Sequence, residues 1–317
     1  MRVLVTGGTG FIGSHVVDRL REHGVTPRIF DLVRSPHHPA GEVETFLGSL
    51  MDPEALRLAM AGCHAVVHLA AVADVRDVHA EPSYAENINT RGTLNVLEAA
   101  RRAGIGRVVY GSTTWVYSDC PQREVDEDTA IAAPSHLYTA TKLAGETYCY
   151  SYSGLYDLSY TILRFGIPYG PRARDGAVVP IFVRKAMNGE PLTVAGDGQQ
   201  FRKFVYVEDL AEGVVRGLMP VARNRVYNLD GRERVSILQI AETVRDTVGD
   251  VEIEHTPARP GDFGGKEVSS VRAEEELGWT ASTPFSEGVA RYVDWYRART
   301  AGLEETWACV DPILLPA

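Results

Sequence analysis

Arg2-Val-Leu-Val-Thr6-Gly7-Gly8-Thr9-Gly10-Phe11-Ile12-Gly13 joins an apolar run to a glycine cluster and the start of a helical pattern. The run reads as a buried strand. Glycines at 7, 10 and 13 permit a tight turn and a close approach of backbone to a bound group. Free N–H groups at the helix start attract an anion, so strand, turn and helix together imply a pyrophosphate site. Outward from this segment, apolar runs alternate with helical-period segments over residues 27–31, 53–61, 65–69, 84–103, 107–111 and 159–164. Such alternation predicts βαβ units and an α/β fold with a doubly wound parallel sheet.

After residue 164 the rhythm changes. Gly166, Pro168, Gly170, Pro171, Gly176 and Pro180 punctuate a short region that reads as the crossing into a smaller α/β substrate-binding domain. The expected division is residues 1–165 plus about 202–226 for the larger domain and about 166–201 plus 227–300 for the smaller, with a tail at 306–317. Helices are expected over 137–152, 236–248 and 285–300.

The 317 residues are 44% hydrophobic and carry 32 Lys plus Arg against 42 Asp plus Glu, a formal charge of −10. That acidic balance disfavours a nucleic-acid partner, which needs basic groups on its phosphates. No stretch approaches the roughly 20 apolar residues that cross a bilayer, so no membrane segment, leader or anchor is expected. Cys63, Cys120, Cys149 and Cys309 form no CxxC pair, which fits a reducing cytoplasm and neither a disulfide framework nor a zinc site. His37 with His38, and His64 with His68, lack further ligands at a recognised spacing, so no metal is expected.

Asp31 ends the second strand, 18 residues beyond Gly13, where a carboxylate accepts hydrogen bonds from an adenosine ribose and repels an added phosphate. NAD is therefore favoured over NADP. Tyr138 and Lys142, four apart in an expected helix, share one face. An ammonium beside a phenol stabilises the phenolate and readies it as a general base. Asn89 is expected to be buried, tying the helix that carries this pair to neighbouring backbone.

Further segments extend the pattern: His68-Leu-Ala-Ala71, Asn89-Thr-Arg-Gly-Thr93, Ser112-Thr-Thr-Trp-Val-Tyr117, Arg164 with Tyr169-Gly-Pro-Arg172, and Gly196-Asp-Gly198. Phe201-Arg-Lys-Phe-Val-Tyr-Val-Glu-Asp209, Arg259-Pro-Gly-Asp262 and Leu277-Gly-Trp279 continue it. From Arg2 to about Arg299 the chain resembles an extended short-chain dehydrogenase/reductase of the NAD-dependent epimerase/dehydratase family, most similar to nucleotide-sugar 4-epimerases. The resemblance implies a Rossmann domain holding NAD through Gly7, Gly10, Phe11, Ile12, Gly13, Asp31, Leu69, Ala70, Ala71, Asn89, Tyr138 and Lys142. It makes Thr113, three residues before Val116, the group that bonds the reacting sugar hydroxyl, with Tyr138 as base and Lys142 as its electrostatic partner. It places Thr114, Val179, Arg202, Arg259 and Asp262 against a UDP or dTDP sugar, and it implies a homodimer built on the helices at 84–103 and 137–152.

Family dehydratases carry an Asp-Glu pair after that Thr, and decarboxylases a Glu at the second position; Thr114 and Trp115 stand there instead. The implied reaction is epimerisation at carbon 4 through a transient 4-keto sugar, with NAD cycled. A nucleotide-sugar 4-ketoreductase or dehydrogenase, or a non-catalytic dinucleotide sensor, is the alternative. Gly166-Ile-Pro168, Ser49 and Lys203 depart from the family pattern and imply an altered sugar or nucleotide.

Overall fold

A computed structural model describes residues 1–257 and 265–302. Arg259, Asp262 and the tail at 306–317 lie outside the described residues. The chain runs β1 (Arg2–Thr6), α1 (Phe11–Glu22), β2 (Thr26–Asp31), β3 (Glu44–Leu47), α2 (Pro53–Met60), β4 (Ala65–His68), α3 (Val75–Ala80), α4 (Pro82–Glu86), α5 (Gly92–Arg102) and β5 (Arg107–Thr113). Next come β6 (Glu124–Val125), α6 (Leu137–Tyr156), β7 (Ser159–Phe165), β8 (Ile167–Tyr169), α7 (Val178–Met187), β9 (Leu192–Ala195) and β10 (Phe201–Tyr206). Last are α8 (Val207–Arg216), β11 (Arg225–Leu229), β12 (Arg234–Ser236), α9 (Ile237–Val248), β13 (Ile253–Thr256), β14 (Glu267–Val268), α10 (Val271–Leu277) and α11 (Phe285–Gly302).

Seven strands pair in parallel in the order β3-β2-β1-β4-β5-β7-β11. Strand residues alternate between faces, so β1 sends Val3 and Val5 into one core and Leu4 into another. Val3 and Val5 pack with α1, α8 and α10, and Leu4 packs with α2, α5 and α6. Both faces are covered, which is why β4 and β5 are buried along their whole lengths and read as continuous apolar runs. The doubly wound α/β expectation holds. A third core joins β8, α7, β9, β10, β12, α9 and α11.

The segment expected as one helix over 84–103 contains a π-helical turn, Asn87–Arg91, between α4 and α5. Such an inserted residue frequently marks a functional region. Here it turns Asn89 inward: Oδ1 accepts from Val72 N at 2.7 Å, and Nδ2 donates to Val72 O at 3.0 Å and to Thr141 Oγ1 at 3.1 Å. The residue thus joins the loop after β4 to α6, as its sequence context suggests.

His68, at the end of β4, is buried between two hydroxyls. Thr93 Oγ1 donates to Asn89 O at 2.5 Å, so it accepts from His68 Nε2 at 3.0 Å, and His68 Nδ1 accepts from Thr6 Oγ1 at 2.7 Å. Burial, assisted by the nearby Lys142 charge, lowers the ring from 6.5 to about 3. Burial also lowers His15 and His37 from 6.5 to about 4. The unfolded chain therefore binds more protons between 6.5 and these folded values, so stability present above pH 6.5 is lost as pH falls towards 3. Urea-unfolding midpoints are expected to decline steadily from about pH 6.5 to pH 4; a flat profile across that window contradicts neutral burial of these rings.

Candidate active site

The sheet order reverses between β1 and β4, and a cleft of about 600 Å³ opens at the carboxyl ends of these strands. Gly7 turns there with φ +71°, and a Cβ on it would lie 2.7 Å from Ala70 N. A Cβ on Gly13 would collide with Gly7 O, so only glycine lets α1 start this close to the turn. The first turn of α1 has no acidic residue and Gly10 gives it no side-chain cap, which leaves its N–H groups and positive end for an anion. Gly7, Gly10, Phe11, Ile12 and Gly13 line the cleft, as do Leu69, Ala70 and Ala71.

Asp31 is aimed by the turn itself. Its Oδ2 accepts from Thr9 N at 3.1 Å and Thr9 Oγ1 at 2.7 Å, and its Oδ1 accepts from Leu32 N at 2.8 Å. A lone pair on Oδ1 remains for a ribose hydroxyl. The uncapped helix end, the cradle that a Cβ would fill and this oriented carboxylate fit a dinucleotide.

At the other end of the same cleft stand Ser112, Thr113, Trp115 and Tyr138. Thr113 ends β5, and its Oγ1 accepts from Trp115 N at 3.2 Å. Tyr138 lies in the first turn of α6, half-buried. Burial pushes its phenol up to about 12, with the Arg174 charge pulling the other way. Lys142 is 5% exposed and donates from Nζ to Gly111 O at 2.9 Å. Burial lowers that amine to about 8, opposed by Glu146. In the protein alone desolvation sets the direction at Tyr138, and Lys142 spends one of its three donors on the Gly111 carbonyl.

Behind these groups lies a buried ionic network. Glu146, one turn beyond Lys142, accepts from Arg164 Nε at 3.0 Å, Arg164 Nη2 at 2.7 Å and Ser112 Oγ at 2.5 Å. Arg164 Nη1 reaches Tyr117 OH at 2.6 Å, and Tyr117 OH donates to Asn228 Oδ1 at 3.0 Å. The network brackets Thr113 from both sides in the sequence.

A family model described as the NAD dependent epimerase/dehydratase family matches residues 3–230. The chain belongs to that family. It is similar to a UDP-glucose 4-epimerase of Mycolicibacterium smegmatis, 32% identical over 313 residues, covering 95% of this chain and 100% of that protein. A crystal structure of the Thermotoga maritima UDP-glucose 4-epimerase with UDP-glucose superposes with a TM-score of 0.88 at 30% identity, covering 95% and 100% of the two chains. The Thermus thermophilus UDP-glucose 4-epimerase in complex with NAD gives 0.84 at 33% identity, covering 94% and 99%.

Within this epimerase/dehydratase frame the structure gathers Thr113, Tyr138, Asp31 and the glycine loop around one cavity, with Lys142 just behind it. Asn89 and Lys142 are buried beneath the wall. Val179 is 1% exposed and packs into the third core, because α7 is amphipathic and turns that side inward. Thr114 does not line the cleft, and Arg202, on β10, donates from Nη1 to Phe201 O at 2.7 Å. Sequence reasoning missed Arg174, which lines the cleft and pairs with Asp74 at 3.0 Å. It missed Glu146 too, although spacing of four from Lys142 on a helix was a readable signal. Among the described residues no cluster of three or more His, Cys, Asp or Glu could hold a metal, and no helix is long and apolar enough to cross a membrane.

Proposed function

We propose that this protein is an NAD-dependent nucleotide-diphosphate-sugar 4-epimerase working through a transient 4-keto sugar. One observation carries the reading: Thr113 and Tyr138 share a cleft with the glycine loop, and Trp115, not a carboxylate, stands beside them. Elimination of water needs an acid and a base beyond the tyrosine, and an indole is neither. Bound NAD supplies the hydride acceptor and donor for carbon 4, and its positive ring adds charge that favours the phenolate. Gly7, Gly10, Gly13, Asp31 and Ala70 would hold it. Thr113 orients the sugar hydroxyl, Tyr138 takes and returns its proton, and Lys142 fixes the backbone at Gly111 from below.

The nucleotide diphosphate, UDP or dTDP, calls for guanidinium donors, and Arg202 with Arg259 is assigned that task, with Asp262 near the nucleoside ribose, Val179 behind the nucleotide pocket and Thr114 beside the sugar. Residues 205–229 and 271–281 are grouped here with the dinucleotide half, because Val205, Leu210, Tyr227, Leu229, Ala273 and Ala281 among them pack into its core; this moves 227–229 and 271–281 from the grouping expected from sequence. A homodimer is supported by Tyr150, Leu155 and Tyr156 of α6, which are 42%, 72% and 49% exposed. Free thiols at Cys63, Cys120 and Cys149 support a cytoplasmic location.

Purified protein given UDP or dTDP hexoses is expected to interconvert the 4-epimers, read by NMR, without added reductant. Absence of interconversion across the panel, even with NAD supplied, contradicts the reading; reduction of a nucleotide-linked 4-keto sugar with consumption of NADH or NADPH, and no interconversion of hexoses, would make it a ketoreductase. Asp31→Asn is expected to weaken NAD binding by about tenfold, since bonds to a charged acceptor contribute about 1.5 kcal/mol or more, and to narrow the preference over NADP. Titration calorimetry with both dinucleotides checks it, and a wild-type protein without preference contradicts the role of Asp31.

A further inference from the structure

We propose that Trp115 is the platform on which the hexose ring of the substrate stacks, and that His136 positions it; this rests on the epimerase reading and names the sugar-binding element of that site. Trp115 is 38% exposed and lines the cleft together with Thr113 and Tyr138. Its direction is fixed. The turn Thr114–Tyr117 follows β5 directly, Thr113 Oγ1 caps it by accepting from Trp115 N, and Val116 and Tyr117 at the turn's end are buried. The imidazole of His136, immediately before α6, meets the indole edge to face, with centroids 5.9 Å apart and planes at 87°. Both contacts tie the indole to the two elements that carry Thr113 and Tyr138.

An indole has one donor and no group that titrates in water, so a role in proton transfer is closed to it. What it offers is a flat apolar surface, and the C–H faces of a pyranose are the complementary partner. Such a surface makes no directional bonds to hydroxyls, so it accepts either face of the ring. An epimerase needs that freedom: the 4-keto sugar must present both faces in turn while its diphosphate stays bound. A carboxylate at this position would hold one hydroxyl and one pose.

The test compares UDP-glucose with UDP alone on the full chain with NAD, using Trp115→Phe, Trp115→Ala, His136→Phe and His136→Ala. Trp115→Ala is expected to weaken UDP-glucose by about three- to tenfold, the range of one aromatic contact, while UDP inhibits as before. Trp115→Phe keeps a ring and stays within about twofold of wild type, His136→Ala shows part of the loss, and His136→Phe restores it. UDP-glucose, and not UDP, should quench the fluorescence that distinguishes wild type from Trp115→Phe. Equal weakening of UDP and UDP-glucose, or no weakening of either, overturns the platform while leaving the epimerase reading intact. Wild-type protein that binds UDP but neither binds nor converts any hexose conjugate overturns both.

Discussion

Tyr138→Phe is expected to lower turnover by about 10²–10⁴-fold, the contribution of a positioned general base, and to leave UDP-sugar binding within about twofold. Of the groups that stand beside Thr113 along β5, the turn after it and the start of α6, the Tyr138 phenol can give and take the proton of a carbinol. Thr113 and Ser112 ionise too reluctantly, Trp115 has only a donor, and Arg174 offers donors and no acceptor. Lys142 titrates at about 8 but donates to Gly111 O, away from that task. The phenol starts near 12 in the protein alone, so the rate of the wild-type enzyme should climb as pH rises through the neutral and alkaline range until another group fails. Tyr138→Phe should lose that climb. Steady-state kinetics with a thermal-unfolding control decides the matter, and a variant turning over within tenfold of wild type would remove Tyr138 from the chemistry.

Glu146→Ala should cost about 3–5 kcal/mol of unfolding free energy, because it strips one partner from a buried ion pair. Glu146 and Arg164 are 2% and 4% exposed, and the carboxylate fills three donor contacts, two from the guanidinium and one from Ser112. Removal leaves a buried guanidinium whose remaining partner is the Tyr117 hydroxyl. Replacing both Glu146 and Arg164 by leucine should be milder than either single change, since no unpaired charge then remains. Activity should fall along with stability in Glu146→Ala, as Ser112 and Tyr117 flank the Thr113 turn. Urea unfolding at pH 7 measures the effect, and a loss below about 1 kcal/mol would show the pair to be solvent-screened.

The glycine spacing, the apolar runs of β1, β4, β5 and β7, and the Tyr138–Lys142 pair were readable because each depends on local periodicity or on neighbours along the chain. With the run at β2 they were enough for five of the seven strands of the sheet and for both ends of the cleft; β11, at Arg225–Leu229, was cut by the expected domain boundary. β3 was not legible: Glu44–Leu47 is four residues long and half-solvated, with no apolar run to announce it. Nor was the π turn at Asn87–Arg91, whose cause is the long-range bonds from Asn89 to Val72 and Thr141. The direction of the Lys142 amine was not legible for a related reason. Spacing places Lys142 on the same helix face as Tyr138, but where its amine points is decided by the carbonyl of Gly111 on a strand 31 residues away.

UDP-glucose carrying deuterium at carbon 4 tests the whole account in one measurement. Incubated with the purified enzyme in ordinary water, it should yield UDP-galactose with the label still on carbon 4, since the hydrogen that leaves is the one that returns. Label washed out into solvent, or label retained in unconverted substrate across 4-deuterated UDP and dTDP hexoses after prolonged incubation, would contradict it.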